Sequence, residues 1–204
     1  VTESDDTDRT LTSVVLASAS PRRQELLRQI GLPYVVVVPS VNETPRSGEP
    51  ADDFVTRLAL DKACQGKSLA AERGLATLPV LGADTCIVLD REILGKPLDR
   101  DDGIAMLQRL AGRSHEVLTG IAVVRQEIQH VAISRNKVTF GPMSDREITA
   151  YWDTGEPADK AGAYALQGKA AAYIERIEGS YSAIVGLPLF ELTQILKTLG
   201  IRCE

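Results

Sequence analysis

An aspartate in the middle of an apolar run is the first residue of this sequence that calls for a chemical reason. Asp84 lies within "LPVLGADTCIVLD" (Leu78–Asp90), where an ionised carboxylate is expensive unless it is paired or holds a cation. Gly82, close before it, lets another group approach the backbone. The alternative reading is a strand-end turn. Arg22 and Arg23 pose the reverse problem: in "SASPRRQELL" (Ser18–Leu27) they stand where a helix begins, at the end that already carries about half a positive charge, and each should cost roughly 0.3–1 kcal/mol there unless an anion is near. Such a penalty marks a place where function overrides propensity. Free N–H groups, serine hydroxyls such as that of Ser18 and guanidinium forks together make a phosphate site; the alternative is that both arginines point sideways into solvent.

Glu43 follows a second apolar run and in isolation is a solvated loop acid, Lys62 lies one helical turn beyond Leu58, and Lys96 stands just before Pro97. If Glu43 and Asp84 converge with Arg22, Arg23, Lys62 and Lys96, the set suits a magnesium polyphosphate complex. Mg²⁺ takes one or two carboxylates together with phosphate oxygens and waters, and the remaining negative charge falls to lysine and arginine.

Other chemistries have less support. The two histidines, His115 and His130, sit in strand-like runs far from any G-x-S-x-G, so a Ser-His-Asp hydrolase has no evident base. Gly66-Lys67-Ser68 looks like the end of a P-loop, but the glycine that motif requires at position 61 is Asp61, and the stretch lies in a helical pattern. No G-x-G-x-x-G follows a strand. The three cysteines, Cys64, Cys86 and Cys203, form no C-x-x-C pair, which suits a reducing cytosol and indicates neither a disulfide framework nor a zinc knuckle. A net charge of −5 with five Tyr, three Phe and one Trp argues against a broad nucleic-acid footprint. No apolar run reaches the ~20 residues of a membrane span. The opening "VTESDDTDRT" is acidic and polar, unlike a signal peptide, and residues 1–12 read as a disordered tail.

The elements that must position these residues follow from periodicity and punctuation. Val14–Ala17 reads as a buried strand, followed by a helix with Ser20 as N-cap and Pro21 in its first position. "PYVVVVPSV" reads as a second buried strand and "NETPRSGEP" as a loop. Phe54, Val55, Leu58, Ala59 and Ala63 recur at helical spacing from Ala51 to about Ala71. The Asp84 strand has "REILGKP" as its hairpin return, and a short helix runs from Asp101 to Leu110. "HEVLTGIAVVRQ" and "QHVAISRNKVTFG" suggest an antiparallel pair, "SDREITAYWDTG" a helix capped by Ser144, and the remainder a turn-rich segment, a strand and a C-terminal helix. This order gives one α/β domain, residues 13–204, with a mixed sheet and helices packed around it.

Taken together, "LASASPRRQELLRQIG", "VNETP", "RLALDKA", "LGADTCIVLDREILGKP", "HEVLTGIAVV", "DKAGAYALQG" and "IEGSYSAIVGLPLFEL" resemble the Maf proteins, nucleoside triphosphate pyrophosphatases, in order from about Ser13 to Leu199. The resemblance implies an elongated mixed β-sheet with flanking helices and two lobes around a central cleft, similar to the inosine triphosphatases. It implies hydrolysis of a nucleoside triphosphate to the monophosphate and pyrophosphate, with Mg²⁺ or Mn²⁺, by a cytoplasmic homodimer that keeps modified nucleotides from incorporation. By their motif positions, Ser18, Arg22, Arg23, Lys62 and Lys96 bind phosphate. Asp84 is the proton acceptor, with Lys62 and Lys96 as its catalytic companions, and Glu43 and Asp84 are the metal-side carboxylates. Arg22, Thr85 and Gln167 match the branch that acts on dTTP and UTP; the 7-methyl-GTP branch carries an aromatic residue, a glutamine and an acid there, although "VNETPRSGEP" looks more like the loop of that branch. A side-chain amide at Gln167 also suits the pairing edge of uracil or thymine, which offers a donor beside an acceptor. A nucleotide-binding regulator linked to cell-division arrest and a generic phosphatase are the competing readings.

Overall fold

The computed structural model describes residues 14–203, so the expected acidic tail, residues 1–12, lies outside the described residues. β1 (Val14–Ala17) is apolar and wholly buried, and α1 (Pro21–Gln29) starts on Pro21 as its fixed φ favours. Ser20 holds the N-cap position but makes no side-chain cap. Its own N–H instead donates to Ser18 Oγ at 3.2 Å. β2 (Tyr34–Val37) corrects the expectation of a second buried strand: it lies at the end of the sheet beside β1, with Val35 exposed and Val37 buried. Its valine run meets the demand for sheet propensity, while among the described residues only one edge of it finds a partner.

α2 (Ala51–Glu72) leads to β3 (Val80–Leu89), which carries Asp84 and returns through β4 (Glu92–Leu94). α3 (Arg100–Leu110) precedes the long antiparallel pair β5 (Ser114–Arg125) and β6 (Ile128–Phe140). α4 (Asp145–Trp152) opens on a capping box between Ser144 and Glu147. Short 3-10 turns then lead to β7 (Ile174–Glu178), α5 (Tyr181–Val185) and α6 (Leu189–Thr198). The seven-stranded sheet runs β2-β1-β3-β5-β6-β7, with β4 attached to β3. The pairs of β1 with β2 and with β3 are parallel and the others antiparallel, giving the mixed α/β sheet with flanking helices that was expected. No helix among the described residues is long and apolar enough to cross a membrane.

β3 is the strand that shapes the site. Along one edge it pairs with β5 from Val80 to Val88, but along the other it meets β1 only at Val80 and Leu81 and β4 only from Ile87 to Leu89. Gly82–Cys86 is left with an open edge between two partners. Alternate side chains of β3 then divide between two faces. Leu81 and Ala83 join a core with Leu26 and Leu27 of α1 and Leu192 and Leu196 of α6. Ile87 and Leu89 join a second core with Leu107, Leu110, Ile148 and Tyr151. These are the cores of the two lobes, and Thr85 falls between them.

α2 covers the opposite face, where Phe54, Val55 and Leu58 pack with Cys86 and Leu118. It comes close enough that glycine is required beneath it. A Cβ on Gly82 would lie 2.1 Å from the Ala59 carbonyl oxygen and 2.6 Å from the Ala63 nitrogen, and one on Gly120 would lie 2.7 Å from the Val55 carbonyl oxygen. Gly66, the glycine of the rejected P-loop match, serves packing as well, 2.6 Å from Ala17 Cβ by the same construction. Gly82→Ala should therefore push backbone against backbone and destabilise the fold by about 1–3 kcal/mol, measured by urea unfolding.

His115 and His130 lie in β5 and β6. His115 is 3% exposed, with Nε2 2.7 Å from the Tyr164 hydroxyl and its ring against Phe140. Burial pushes its pKa down to about 4, against roughly 6.5 in an unfolded chain. The unfolded state therefore binds the proton first, and on the order of 3 kcal/mol of stability is lost as the pH falls from about 6.5 through about 4. His115→Gln should flatten that part of the stability profile, compared by denaturant unfolding at pH 7 and pH 4.5.

Candidate active site

The open edge of β3 lies in a cleft of about 950 Å³ lined by both lobes. On the α2 face, Asp84 is 8% exposed and receives a 2.7 Å hydrogen bond from Lys62 Nζ, which reaches down from α2. The same ammonium lies 2.6 Å from Glu43 Oε1, on the loop after β2, and Lys96 Nζ stands 3.9 Å from Glu43 Oε2. Four of the expected residues are thus brought together, Glu43 and Asp84 on the half-buried Lys62 ammonium and Lys96 beside Glu43. Glu43 is exposed yet bonded, so it is not a free loop acid.

The arginines divide. Arg23 turns inward: its Nε donates to the Gly186 carbonyl at 2.8 Å and its guanidinium donates to the buried Ser18 hydroxyl at 3.0 Å. Arg22 is half-buried and lines the cleft on its own side, as do Asp159 and Lys160. Ser18, Arg23 and the start of α1 therefore form a cradle at one end of the cleft, with Lys62 and Lys96 lining it further on.

Thr85 points to the opposite face of β3 from Asp84, towards Thr119 and the turn at Gly186, and lines the cleft together with Tyr164, Leu166, Gln167 and Val185. Gln167 is exposed in that lining. The turn carrying Tyr164, Leu166 and Gln167 is tied to the β4 hairpin by the Gly162 N–H, which donates to the Gly95 carbonyl at 2.9 Å. Gly162 has φ +65°, a left-handed conformation that favours glycine, and packs against the Ile87 side chain.

Residues not singled out from sequence complete the site. Arg57 grips Glu49 with Nε at 2.6 Å and a second guanidinium nitrogen at 2.7 Å, and reaches the Thr44 carbonyl at 3.4 Å. This folds the loop that carries Glu43 back onto α2, the helix that carries Lys62. The hydrogen bond from Arg57 holds the Glu49 carboxyl down to about 2. Thr119, beneath Thr85, is also new and has no motif to mark it.

The charges of the site depend on burial and on one another. Burial raises the Asp84 pKa, and the nearby cations of Lys62 and Arg23 offset this only in part. Burial also works to raise Glu43, but there the hydrogen bond and charge of Lys62, with Lys96 and Arg23, win and lower it. Burial holds the Arg23 guanidinium below its ordinary range, with Asp84 pulling the other way. Cys86, next to Thr85, is pushed up to about 12 by burial and is no nucleophile. Among the described residues there is no group of three or more His, Cys, Asp or Glu side chains able to hold a metal alone. Two carboxylates converging on one ammonium fit instead a hard cation whose other ligands come from a phosphate chain and water.

Because the native pKa of Asp84 is raised, the stability it contributes is present below its unfolded pKa and lost as the pH rises through the native one. Asp84→Asn should therefore melt higher than the unmodified chain at neutral pH, with the difference vanishing near pH 3. A pH series of thermal unfolding measures this.

Comparison with known proteins identifies the family of the chain. Residues 13–199 match the family model described as Maf-like protein. The dTTP/UTP pyrophosphatase of Alkalilimnicola ehrlichii is 50% identical over 92% of this chain and 93% of its own length. The dTTP/UTP pyrophosphatase of Symbiobacterium thermophilum is 50% identical over 92% and 94%, and that of Vibrio cholerae 46% identical over 92% and 98%. Among solved structures, the Staphylococcus aureus Ham1 protein aligns with a TM-score of 0.40 and 14% identity over 65% of this chain and 72% of that one. A match across nearly the whole described chain, with relatives at this identity, places the chain in the Maf-like protein family.

Proposed function

We propose that this chain hydrolyses dTTP and UTP to the nucleoside monophosphate and pyrophosphate, as the names of its relatives state for them. The observation that carries the reading is the buried Asp84 at the open edge of β3, paired with Lys62, which also bonds Glu43, close to the cationic cradle of Ser18 and Arg23. Asp84 accepts a proton from the water whose oxygen attacks the α-phosphorus. The bond from that phosphorus to the bridging oxygen of the departing pyrophosphate then breaks. A carboxylate with a raised pKa is a better base for this step than an ordinary aspartate.

Lys62, Lys96, Arg22 and Arg23 neutralise the charge that gathers on the leaving group, and Ser18 orients the phosphates. Glu43 and Asp84 would hold Mg²⁺ or Mn²⁺, which supplies charge neutralisation and polarises the phosphate oxygens. Arg22, Thr85 and Gln167 select the base. The working unit is the single domain of residues 13–204, acting on free nucleotides in the cytoplasm.

Steady-state turnover of dTTP, UTP, CTP, GTP and 7-methyl-GTP, with pyrophosphate and orthophosphate scored separately, tests the proposal. Pyrophosphate should come from dTTP and UTP, stop on chelation of the divalent cation, and fall by about 10²–10⁴ in Asp84→Asn. A preference for 7-methyl-GTP would overturn the specificity, orthophosphate as first product would overturn the reaction, and nucleotide binding without turnover would favour a regulator.

A further inference from the structure

The hydroxyl of Thr85 has a direction, and it is set from behind. Thr85 and Thr119 are cross-strand partners on β3 and β5, so their side chains stand on the same face. Thr119 is 0% exposed, whereas Thr85 is partly open and lines the cleft. Thr119 Oγ1 lies 2.7 Å from the carbonyl oxygen of Ala183, in α5. A carbonyl only accepts, and a threonine hydroxyl has one proton, so the proton of Thr119 is committed to Ala183. Thr85 Oγ1 lies 2.9 Å from Thr119 Oγ1. With the Thr119 proton spent, that bond exists only if Thr85 donates. The proton of Thr85 therefore points into the fold, and its oxygen offers the cleft lone pairs alone.

We infer that Thr119 is a specificity-determining positioning residue: by fixing Thr85 as an acceptor, it makes the base pocket select uracil and thymine against cytosine. The inference rests on the pyrimidine-nucleotide reading above and identifies how that site rejects its nearest competitor. Uracil and thymine carry a proton on N3 and can donate to Thr85, while cytosine carries a lone pair there and meets another acceptor. Discrimination of this kind is strong because the wrong ligand leaves polar groups facing without a proton between them. Thr85 lines the same cleft as Tyr164, Leu166, Gln167 and Val185, while Asp84 and Lys62 meet on the opposite face of β3.

Thr119→Val removes the relay at nearly constant volume, and the Ala183 carbonyl keeps a partner because the Gly186 N–H donates to it at 3.0 Å. In that variant the Thr85 proton is free to turn towards the cleft. Thr119→Ser retains the relay and controls for packing. Calorimetric binding of UMP, CMP and 3-methyl-UMP, with the last lacking the N3 proton, should give about a tenfold preference for UMP over CMP in the unmodified chain and in Thr119→Ser, narrowed to about threefold or less in Thr119→Val, mainly through tighter CMP binding. 3-Methyl-UMP should lose most of the UMP preference in the unmodified chain, a result that does not depend on how any variant folds. An unchanged UMP to CMP ratio in Thr119→Val, or 3-methyl-UMP bound as tightly as UMP, would overturn the inference. A chain that discriminates UMP from CMP but releases no pyrophosphate would overturn the proposed reaction and leave this inference standing.

Discussion

One ammonium shared by two carboxylates sets the terms for the rest of the molecule. Asp84 is nearly buried at the edge of the cleft, and its ionised form is eased chiefly by Lys62 Nζ, 2.7 Å away, with Arg23 beyond it. For a lysine on α2 to reach it, that helix must lie against β3 closer than side chains normally permit. Glycines at 82 and 120 make that approach possible. The second carboxylate, Glu43, comes from an exposed loop with no core of its own, so its position depends on the Arg57–Glu49 pair that pins the loop to the same helix. α2 is therefore the common reference for both partners of Lys62.

The sheet contributes by what it leaves unpaired. A strand with neighbours along both edges would bury Gly82–Cys86 on all sides, and no ligand could reach the backbone around Asp84. Here β1 leaves β3 after Leu81 and β4 joins it only at Ile87. Strand alternation then sends neighbouring side chains to opposite faces: Asp84 meets the charged partners from α2 and the loop, while Thr85 meets Thr119 and the turn at Gly186. A single-residue step along β3 separates the two sets of partners.

Much of this was legible in the sequence where the signal is local. Pro21 marks the start of α1, Ser144 and Glu147 mark the capping box of α4, and Asp84 is conspicuous because it interrupts an apolar run. The valine run of β2 signals strand but says nothing of how many neighbours a strand has, so its place at the end of the sheet is invisible without the topology. Arg57 and Glu49 are ordinary surface residues until the loop path brings them together. Thr119 is harder still, one threonine in an apolar strand whose partners lie 34 and 64 residues away. Its meaning depends on counting two protons among three oxygens, and no residue pattern records that.

The distribution of charge gives the cleft its relation to the remainder of the protein. The whole chain has a net charge of −5, yet the cleft gathers Arg22, Arg23, Lys62 and Lys96 against Glu43 and Asp84. An excess of cations inside a concave, partly apolar site on an otherwise acidic surface focuses the potential on that one place. Anions are then repelled elsewhere and drawn to the cradle at Ser18 and Arg23. The same arrangement explains why the arginines stand at the positive end of α1: the local penalty and the burial cost of Arg23 are both relieved by an anion at that helix end, and the free-energy gradient that results is directed at the ligand. Asp84 follows the same logic from the other side, since a carboxylate whose ionised form is held at a cost gains more from accepting a proton than one already at ease in water.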